Sequence, residues 1–196
     1  MWHVSQSRVY TKSHFVRLPV IVVVIGPAGA GKTTVGSALA DAMGRRFFDA
    51  DDLHSPANVA RMRRGEPLTD AERAPWLAAV RDIIVLQLVE AKRGDGRDHG
   101  AVVACSALKK SYRAALVPAD APKGAVRFAY LRVEPEVLRA RLEARQDHFA
   151  PPALLASQLA TLEEPDASEN AMVVDGGQSP DVVVAELRRS LIADRA

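Results

Sequence analysis

Residues 20–34 read VIVVVIGPAGAGKTT, and this segment is the most informative one about the fold. Its apolar, β-branched beginning, residues 20–25, predicts a buried strand, and residues 33–43 have helical character with Gly44 closing them. Between the two, residues 26–33 fit the pattern G-x-x-x-x-G-K-S/T. A glycine-rich turn between a strand and a helix is typical of a phosphate loop. The stretch therefore predicts a nucleotide-binding α/β fold, with a purely structural glycine turn as the alternative.

The residue types of this loop suit the binding of a polyphosphate. Glycine lets the backbone turn tightly with its N–H groups facing inward, and the following helix adds the positive end of its dipole. Lys32 is expected to reach the β- and γ-phosphates, and the Thr33 hydroxyl to ligate Mg²⁺. The residues of the loop that are predicted to bind the nucleotide are Gly26, Ala28, Gly29, Ala30, Gly31, Lys32, Thr33 and Thr34.

Further apolar runs of strand length alternate with helical segments along the chain. The strand candidates are residues 101–105, 126–131 and 171–174, with a weaker one at 46–48. The helix candidates are residues 70–93, 134–145 and 181–192. This alternation predicts a three-layer α/β fold of the P-loop NTPase type, in which helices flank a parallel sheet. Residues 19–196 are predicted to form a single domain, and residues 1–18 a loosely ordered extension.

Composition excludes several classes of function. The net charge of +2 is too close to neutral for a general nucleic-acid binder. No apolar run approaches the roughly 20 residues of a membrane span. The single cysteine, Cys105, excludes an internal disulfide and suits a reducing cytosol. We therefore expect a cytoplasmic protein without nucleic-acid or membrane partners.

The segment after the strand candidate at 101–105 indicates how the nucleotide is used. That strand ends in Ser-Ala-Leu-Lys-Lys, residues 106–110, rather than in a metal-binding aspartate. Lysine is a poor metal ligand but a good anchor for an anionic substrate. The chain also lacks the Asn-Lys-x-Asp motif with which a GTPase would read guanine. Together these features favour a kinase for a small anion.

Acidic residues follow the strand candidate at 46–48. The run Asp49-Ala50-Asp51-Asp52 should lie at the carboxyl edge of the sheet, beside the phosphate loop. Because Asp49 and Asp51 alternate, an extended strand end would place both on the same side. One carboxylate can hold Mg²⁺, and another can orient the acceptor hydroxyl and take its proton. The alternative for these residues is a solvated turn or helix cap.

Several longer segments together resemble bacterial-type gluconokinases. They are DADDLH at 49–54, GEPLTDAER at 65–73 with PWL at 75–77, CSALKKSYR at 105–113, Arg145 with His148 and Phe149, LLASQ at 154–158, and LEEP at 162–165. The segments occur in the family's order, and the likeness covers roughly residues 20–192. Several motifs in one order are far more specific than the phosphate loop alone.

The resemblance implies an ATP-dependent kinase that phosphorylates the 6-hydroxyl of D-gluconate, giving 6-phospho-D-gluconate for the pentose phosphate pathway. It also implies Mg²⁺ as a cofactor, a homodimer, and a fold like that of shikimate kinases. By similarity, Asp51 is expected to orient or deprotonate the hydroxyl, with Asp49 nearer to the metal. His54 is expected to hydrogen-bond the substrate, with a capping or packing role as the alternative. The candidates for gluconate's carboxylate and hydroxyl groups are Arg73, Lys109 and Arg113.

A small mobile lid is predicted at about residues 139–158. Arg141 and Arg145 lie four positions apart on one helical face, just before a break at residues 146–152. We expect this region to close over the nucleotide, bringing one or both arginines onto the phosphates and expelling water. An exposed helix face is the alternative for both arginines. The predicted catalytic residues are thus Lys32, Asp51 and Arg145.

The residues leave two other functions open. One is a kinase for another small anion such as shikimate, although shikimate kinases have a glycine-rich turn where this chain has residues 106–110. The other is a nucleotide-binding module without turnover. Residues 174–180 resemble the adenine-side loop of related kinases, with a plain strand-to-helix turn as the alternative.

Overall fold

Parallel strands form the centre of the molecule. The computed structural model describes residues 21–91, 100–144, 152–169 and 171–193. Within these residues one five-stranded sheet has the order β2-β3-β1-β4-β5, and every neighbouring pair is parallel. The strands are β1 Ile21–Ile25, β2 Arg46–Asp49, β3 Ala101–Cys105, β4 Val126–Arg132 and β5 Ala171–Asp175.

Helices connect the strands and cover both faces of the sheet. They are α1 Lys32–Met43, α2 Pro56–Arg63, α3 Asp70–Ala91, α4 Lys110–Leu116, α5 Pro135–Glu143, α6 Pro152–Thr161 and α7 Pro180–Ala193. Short 3₁₀ helices occur at Ala50–Leu53 and Ala167–Glu169. Local residue types set some of the boundaries: α1 ends where Gly44 takes a φ of 63°, and Ser55 caps α2 by accepting a hydrogen bond from Asn58 N. None of the described helices is long and apolar enough to cross a membrane.

The two faces of β1 pack into two separate apolar clusters. Ile21, Val23 and Ile25 face the cluster that contains α3, whereas Val22 and Val24 face the cluster that contains α1 and α7. All five side chains are at most 1% exposed. Burial on both faces explains why this strand reads as an unbroken β-branched run rather than as an alternating one.

The predicted α/β fold with a parallel sheet is confirmed. All five predicted strands are present, and β2 extends one residue beyond the prediction, to Asp49. The chain then turns into the 3₁₀ helix Ala50–Leu53, so Asp51 does not lie on an extended strand. The alternation argument for Asp49 and Asp51 is therefore wrong, because Asp49 caps this 3₁₀ helix by accepting a hydrogen bond from Asp51 N at 3.0 Å.

The predicted lid and N-terminal extension are only partly open to description. The described part of the lid comprises the end of α5 and most of α6. Residues 145–151, which include Arg145, lie outside the described residues, as does the predicted extension at residues 1–18. Helix α3 is described to Ala91, so the end of its predicted range also lies outside them.

Candidate active site

The phosphate loop lies between β1 and α1 with the backbone geometry that its glycines predict. Gly29 and Gly31 have φ values of 83° and 93°, in the left-handed region that favours glycine. A Cβ on Gly29 would lie 3.0 Å from the carbonyl oxygen of Leu138, so a side chain there would also collide with α5. The loop is therefore held in a shape that points backbone amides at one concave surface.

Lys32 and Thr33 open α1 at the edge of this surface. The Lys32 ammonium donates a hydrogen bond to the carbonyl oxygen of Pro27 at 3.0 Å. The Thr33 hydroxyl donates to Asp49 Oδ2 at 2.6 Å, across the gap between the first two strands of the chain. These side chains line one cavity with Asp51 and Asp52. The structure thus brings together the residues predicted to bind the nucleotide and the metal and to take the proton.

The oxygen atoms of Thr33 and Asp49 suit a magnesium ion. Mg²⁺ prefers oxygen ligands and is commonly held by one or two protein groups, with phosphates and water completing the shell. Within the described ranges, no group of three or more acidic, histidine or cysteine side chains could hold a metal by itself. The donor set therefore fits a metal that arrives with a phosphate ligand, and does not fit a closed structural site.

A second cavity adjoins the phosphate-loop cavity. Its walls include Arg73 and Tyr112 as well as the ring of Trp76. The residues that line both cavities are His54, Met62, Ser106, Leu154 and Gln158. The two cavities are therefore neighbouring parts of one cleft.

His54 stands at the junction of the two cavities, stacked on Trp76. The ring centroids are 4.4 Å apart and the planes differ by 10°. Trp76 is fixed in turn, because its indole N–H donates to the carbonyl oxygen of Ala50 at 2.6 Å. His54 Nδ1 is buried and has no hydrogen-bond partner among the described residues. Burial lowers the pKa of His54, so the imidazole is neutral near neutral pH and can still bind a polar ligand.

Two cations lie beside Tyr112, a residue that lines the second cavity. Lys109 donates to both carboxylate oxygens of Asp70, at 3.1 and 3.0 Å, and Arg73 donates to Tyr112 Oη at 2.6 Å. Tyr112 in turn donates to Asp70 Oδ1. These hydrogen bonds, from Tyr112 first and Lys109 second, lower the pKa of Asp70. The cluster holds Arg73 and Lys109 close enough to meet one small anion.

The structure corrects the prediction for Arg113. This side chain is 1% exposed and lines neither of the two cavities. Its guanidinium donates to both oxygens of Glu169, at 2.6 and 2.9 Å. It also donates to the carbonyl oxygens of Ala107 and Leu108, at 3.1 and 3.0 Å. Arg113 therefore fixes the segment that carries Lys109, and the cavity that it lines is a separate one.

That segment needs fixing because its backbone is unusual. Ala107 has a φ of 34°, the only positive φ of a non-glycine residue within the described part of the chain. Residues other than glycine rarely adopt this backbone conformation, and it persists only where surrounding contacts hold it. The Arg113 guanidinium supplies such a contact at the Ala107 carbonyl.

Arg141 lies beside the phosphate loop, but its donors point at protein carbonyls. They reach the oxygens of Gly176 at 2.9 Å, Gly177 at 3.3 Å and Gly29 at 3.5 Å. The side chain thus links the phosphate loop to the loop after β5, where the sequence predicts the adenine side of the site. Direct contact of Arg141 with phosphate stays a prediction.

Sequence reasoning assigned no role to three residues of this cleft. Trp76, Tyr112 and Gln158 occur in the sequence analysis only inside segments that resemble a family. Gln158 accepts a hydrogen bond from Ala28 N at 2.7 Å, across 130 residues of chain. No local pattern could reveal that contact, because it depends on how α6 packs beside the phosphate loop.

Comparison with known proteins identifies the family. The family model described as an AAA domain matches residues 21–165. A gluconokinase of Gluconobacter oxydans is 47% identical over 176 residues, covering 90% of this chain and 93% of that protein. The thermosensitive gluconokinase of Escherichia coli is 35% identical over 176 residues, with 88% of each chain covered.

Solved structures agree with the sequence matches. The crystal structure of a gluconokinase from Sinorhizobium meliloti superimposes with a TM-score of 0.76 at 40% identity, covering 90% of this chain and 94% of that one. Shikimate kinase from Aquifex aeolicus reaches a TM-score of 0.55 at 16% identity, which shows a shared fold and nothing more. With a phosphate loop, an acidic edge and a relative of nearly half-identical sequence, the chain belongs to the gluconokinase family of P-loop kinases.

Proposed function

We propose that this protein transfers the γ-phosphoryl group of ATP to the 6-hydroxyl of D-gluconate, giving ADP and 6-phospho-D-gluconate. The observation that carries the proposal is the shared cleft: a phosphate-loop cavity lined by carboxylates runs into a cavity lined by Arg73. The names of the relatives agree with gluconate as the acceptor. Shikimate, the alternative acceptor, is supported only by neighbours that share the fold.

The charged and polar side chains at the phosphate loop have different roles in the transfer. Catalysis of phosphoryl transfer is mostly positioning and electrostatic stabilisation. Lys32 neutralises charge on the β- and γ-phosphates, and a magnesium ion held by Thr33 and Asp49 would screen the same oxygens. Asp51 orients the acceptor hydroxyl and takes its proton as the new O–P bond forms and the bond to ADP breaks. Asp51 is exposed and lines the phosphate-loop cavity, as this role requires.

The acceptor is held at its other end by positive charge. Arg73 lines the second cavity, and Lys109 lies beside the same Tyr112 ring, so both can meet the gluconate carboxylate. Neutral His54, at the junction, can exchange a hydrogen bond with a gluconate hydroxyl through its unpaired Nδ1. Arg113 is left out of this set because it is buried and lines a separate cavity.

Three finer expectations accompany the proposal. Mg²⁺ is the expected metal, the cytoplasm the expected location, and a homodimer the expected assembly. Helix α3 exposes Val85, Leu86 and Val89, and these apolar side chains are candidates for a contact with a second copy. Light scattering at several protein concentrations would measure the assembly, and a monomeric mass throughout would contradict the homodimer.

A coupled assay of ADP release over a panel of sugar acids tests the proposal. We expect strong stimulation by gluconate, weak or no stimulation by shikimate, and a fall of more than about 10²-fold for Lys32→Ala. Stronger stimulation by shikimate than by gluconate would instead indicate a kinase for shikimate. ATP binding without stimulation by any acid would instead favour a nucleotide-binding module.

A further inference from the structure

Gln158 occupies a position that the assigned roles do not explain. It projects from α6 into the region shared by both cavities, where the phosphate tail and the acceptor would meet. Its helix is anchored next to it by Leu154 and Leu155, which are 6% and 2% exposed. A polar side chain on such a firmly packed helix has a fixed direction, so its hydrogen bonds show how its polar atoms are oriented in the cleft.

The hydrogen bond to the phosphate loop fixes how the Gln158 amide is turned. A backbone N–H can only donate, so the atom that faces Ala28 N at 2.7 Å must be the carboxamide oxygen. The Nε2 group, with two N–H donors, therefore faces away from Ala28. Among the described residues this Nε2 makes no hydrogen bond. A donor at the wall of a cleft that has no partner among the described residues is available to a ligand.

The same contact locates Gln158 at the terminal-phosphate end of the loop. Lys32, whose ammonium is expected to serve the β- and γ-phosphates, donates to the carbonyl oxygen of Pro27. Ala28 is the next residue, and its amide holds Gln158. The amide group of Gln158 and the Lys32 ammonium thus adjoin the same two-residue segment.

We propose that Gln158 recognises the γ-phosphoryl group: its Oε1 stays bonded to Ala28 N while its Nε2 donates to a γ-phosphoryl oxygen as that group moves toward the acceptor. The proposal rests on the kinase function given above. A neutral donor suits this place, because carboxylates of Asp49, Asp51 and Asp52 line the same cavity and a further negative charge would repel the phosphates. The contact forms no covalent bond and moves no proton.

The substitution Gln158→Glu removes the N–H donors of the side-chain amide and keeps an acceptor oxygen. Glutamate has the same shape and can still accept from Ala28 N, but it replaces the two N–H donors with a charged oxygen. We expect kcat to fall by about 10²-fold, the typical effect of losing one donor to a transition state. The Kd for ADP, which has no γ-phosphate, should change by less than about threefold in the uncharged variant Gln158→Leu, because that variant adds no charge beside the phosphates.

Ala160→Glu is the matched control, since it adds the same charge to an exposed position of the same helix. It should leave kcat and the Kd for ADP unchanged. Thermal melting of both variants shows whether they are folded, and Gln158→Leu, which has neither donor nor acceptor, serves as a second variant if the glutamate does not fold. The leucine variant should lose kcat in the same way.

Three results would overturn the proposal. The first is a folded Gln158→Glu or Gln158→Leu with the parent's kcat. The second is an equal loss of ADP affinity and kcat, which would mean that Gln158 only supports the shape of the loop. The third is a higher ATP affinity in Gln158→Leu, which would make Gln158 a competitor for the Ala28 amide. A parent protein without gluconate-dependent ADP release would instead defeat the proposed function itself.

Discussion

Replacing Glu169 with glutamine would leave the Arg113 guanidinium buried without its counter-charge. The two side chains are 1% and 8% exposed, and two hydrogen bonds of 2.6 and 2.9 Å join them. Glutamine can accept only one of these, and its own amide group would face the other donor. Removing one partner of a buried ion pair costs about 3–5 kcal/mol. For a domain of this size, that loss lowers Tm by about 6–20 °C.

The effect of Glu169→Gln should extend to the substrate site through the segment that carries Lys109. Arg113 also holds the carbonyl oxygens of Ala107 and Leu108, and Lys109 follows them directly. If the guanidinium shifts, the left-handed Ala107 loses a contact that maintains it, and Lys109 loses its fixed position. We therefore expect the KM for gluconate to rise more than the KM for ATP in Glu169→Gln, since the phosphate loop lies on a different strand.

Urea denaturation and steady-state kinetics on the same preparation test both statements. Glu136→Gln is the matched control, because its pair with Arg139 is a 3.3 Å contact on the surface, with side chains 76% and 56% exposed. Exposed pairs contribute at most about 1 kcal/mol, so this variant should resemble the parent. The hydrogen bonds from Arg113 also lower the pKa of Glu169, so the pair's contribution is lost as pH falls through that lowered pKa. Equal stability of the two variants, with equal acid sensitivity, would refute the reasoning.

Three further outcomes are expected. Asp49→Asn keeps an oxygen that can accept a hydrogen bond from Asp51 N but removes a negative charge. The Mg²⁺ concentration for half-maximal turnover should therefore rise about tenfold or more. An unchanged Mg²⁺ titration would exclude Asp49 as a ligand. Burial raises the pKa of Cys105 to about 12, so the thiol of the folded protein should resist alkylation at mildly alkaline pH. The same thiol should react once the protein is unfolded in concentrated urea. Rapid labelling of the folded protein would contradict this prediction. Burial lowers the pKa of His54, so the unfolded chain binds more protons and the parent should lose stability between about pH 7 and 5. His54→Gln should lose less over that range, and urea midpoints at both pH values would show it.

The sheet and the phosphate loop could be predicted from the sequence, because both depend on local chemistry. A parallel strand buried on two faces needs an unbroken apolar run, and β1 has one. A loop that turns amides inward needs glycines at left-handed φ, and Gly29 and Gly31 take those values. These requirements act on neighbouring residues, so they can be read along the chain.

Which polar side chains face the cleft could not be predicted from the sequence, because it depends on the packing of distant segments. Arg73 and Arg113 are both arginines in segments that resemble the same family, yet Arg73 lines the second cavity and Arg113 is buried against Glu169, 56 residues further on. Gln158 meets the phosphate loop from 130 residues away. The direction of a side chain depends on how its helix packs on the sheet, and that packing is set by many distant contacts together. A pattern of neighbouring residues contains no record of it.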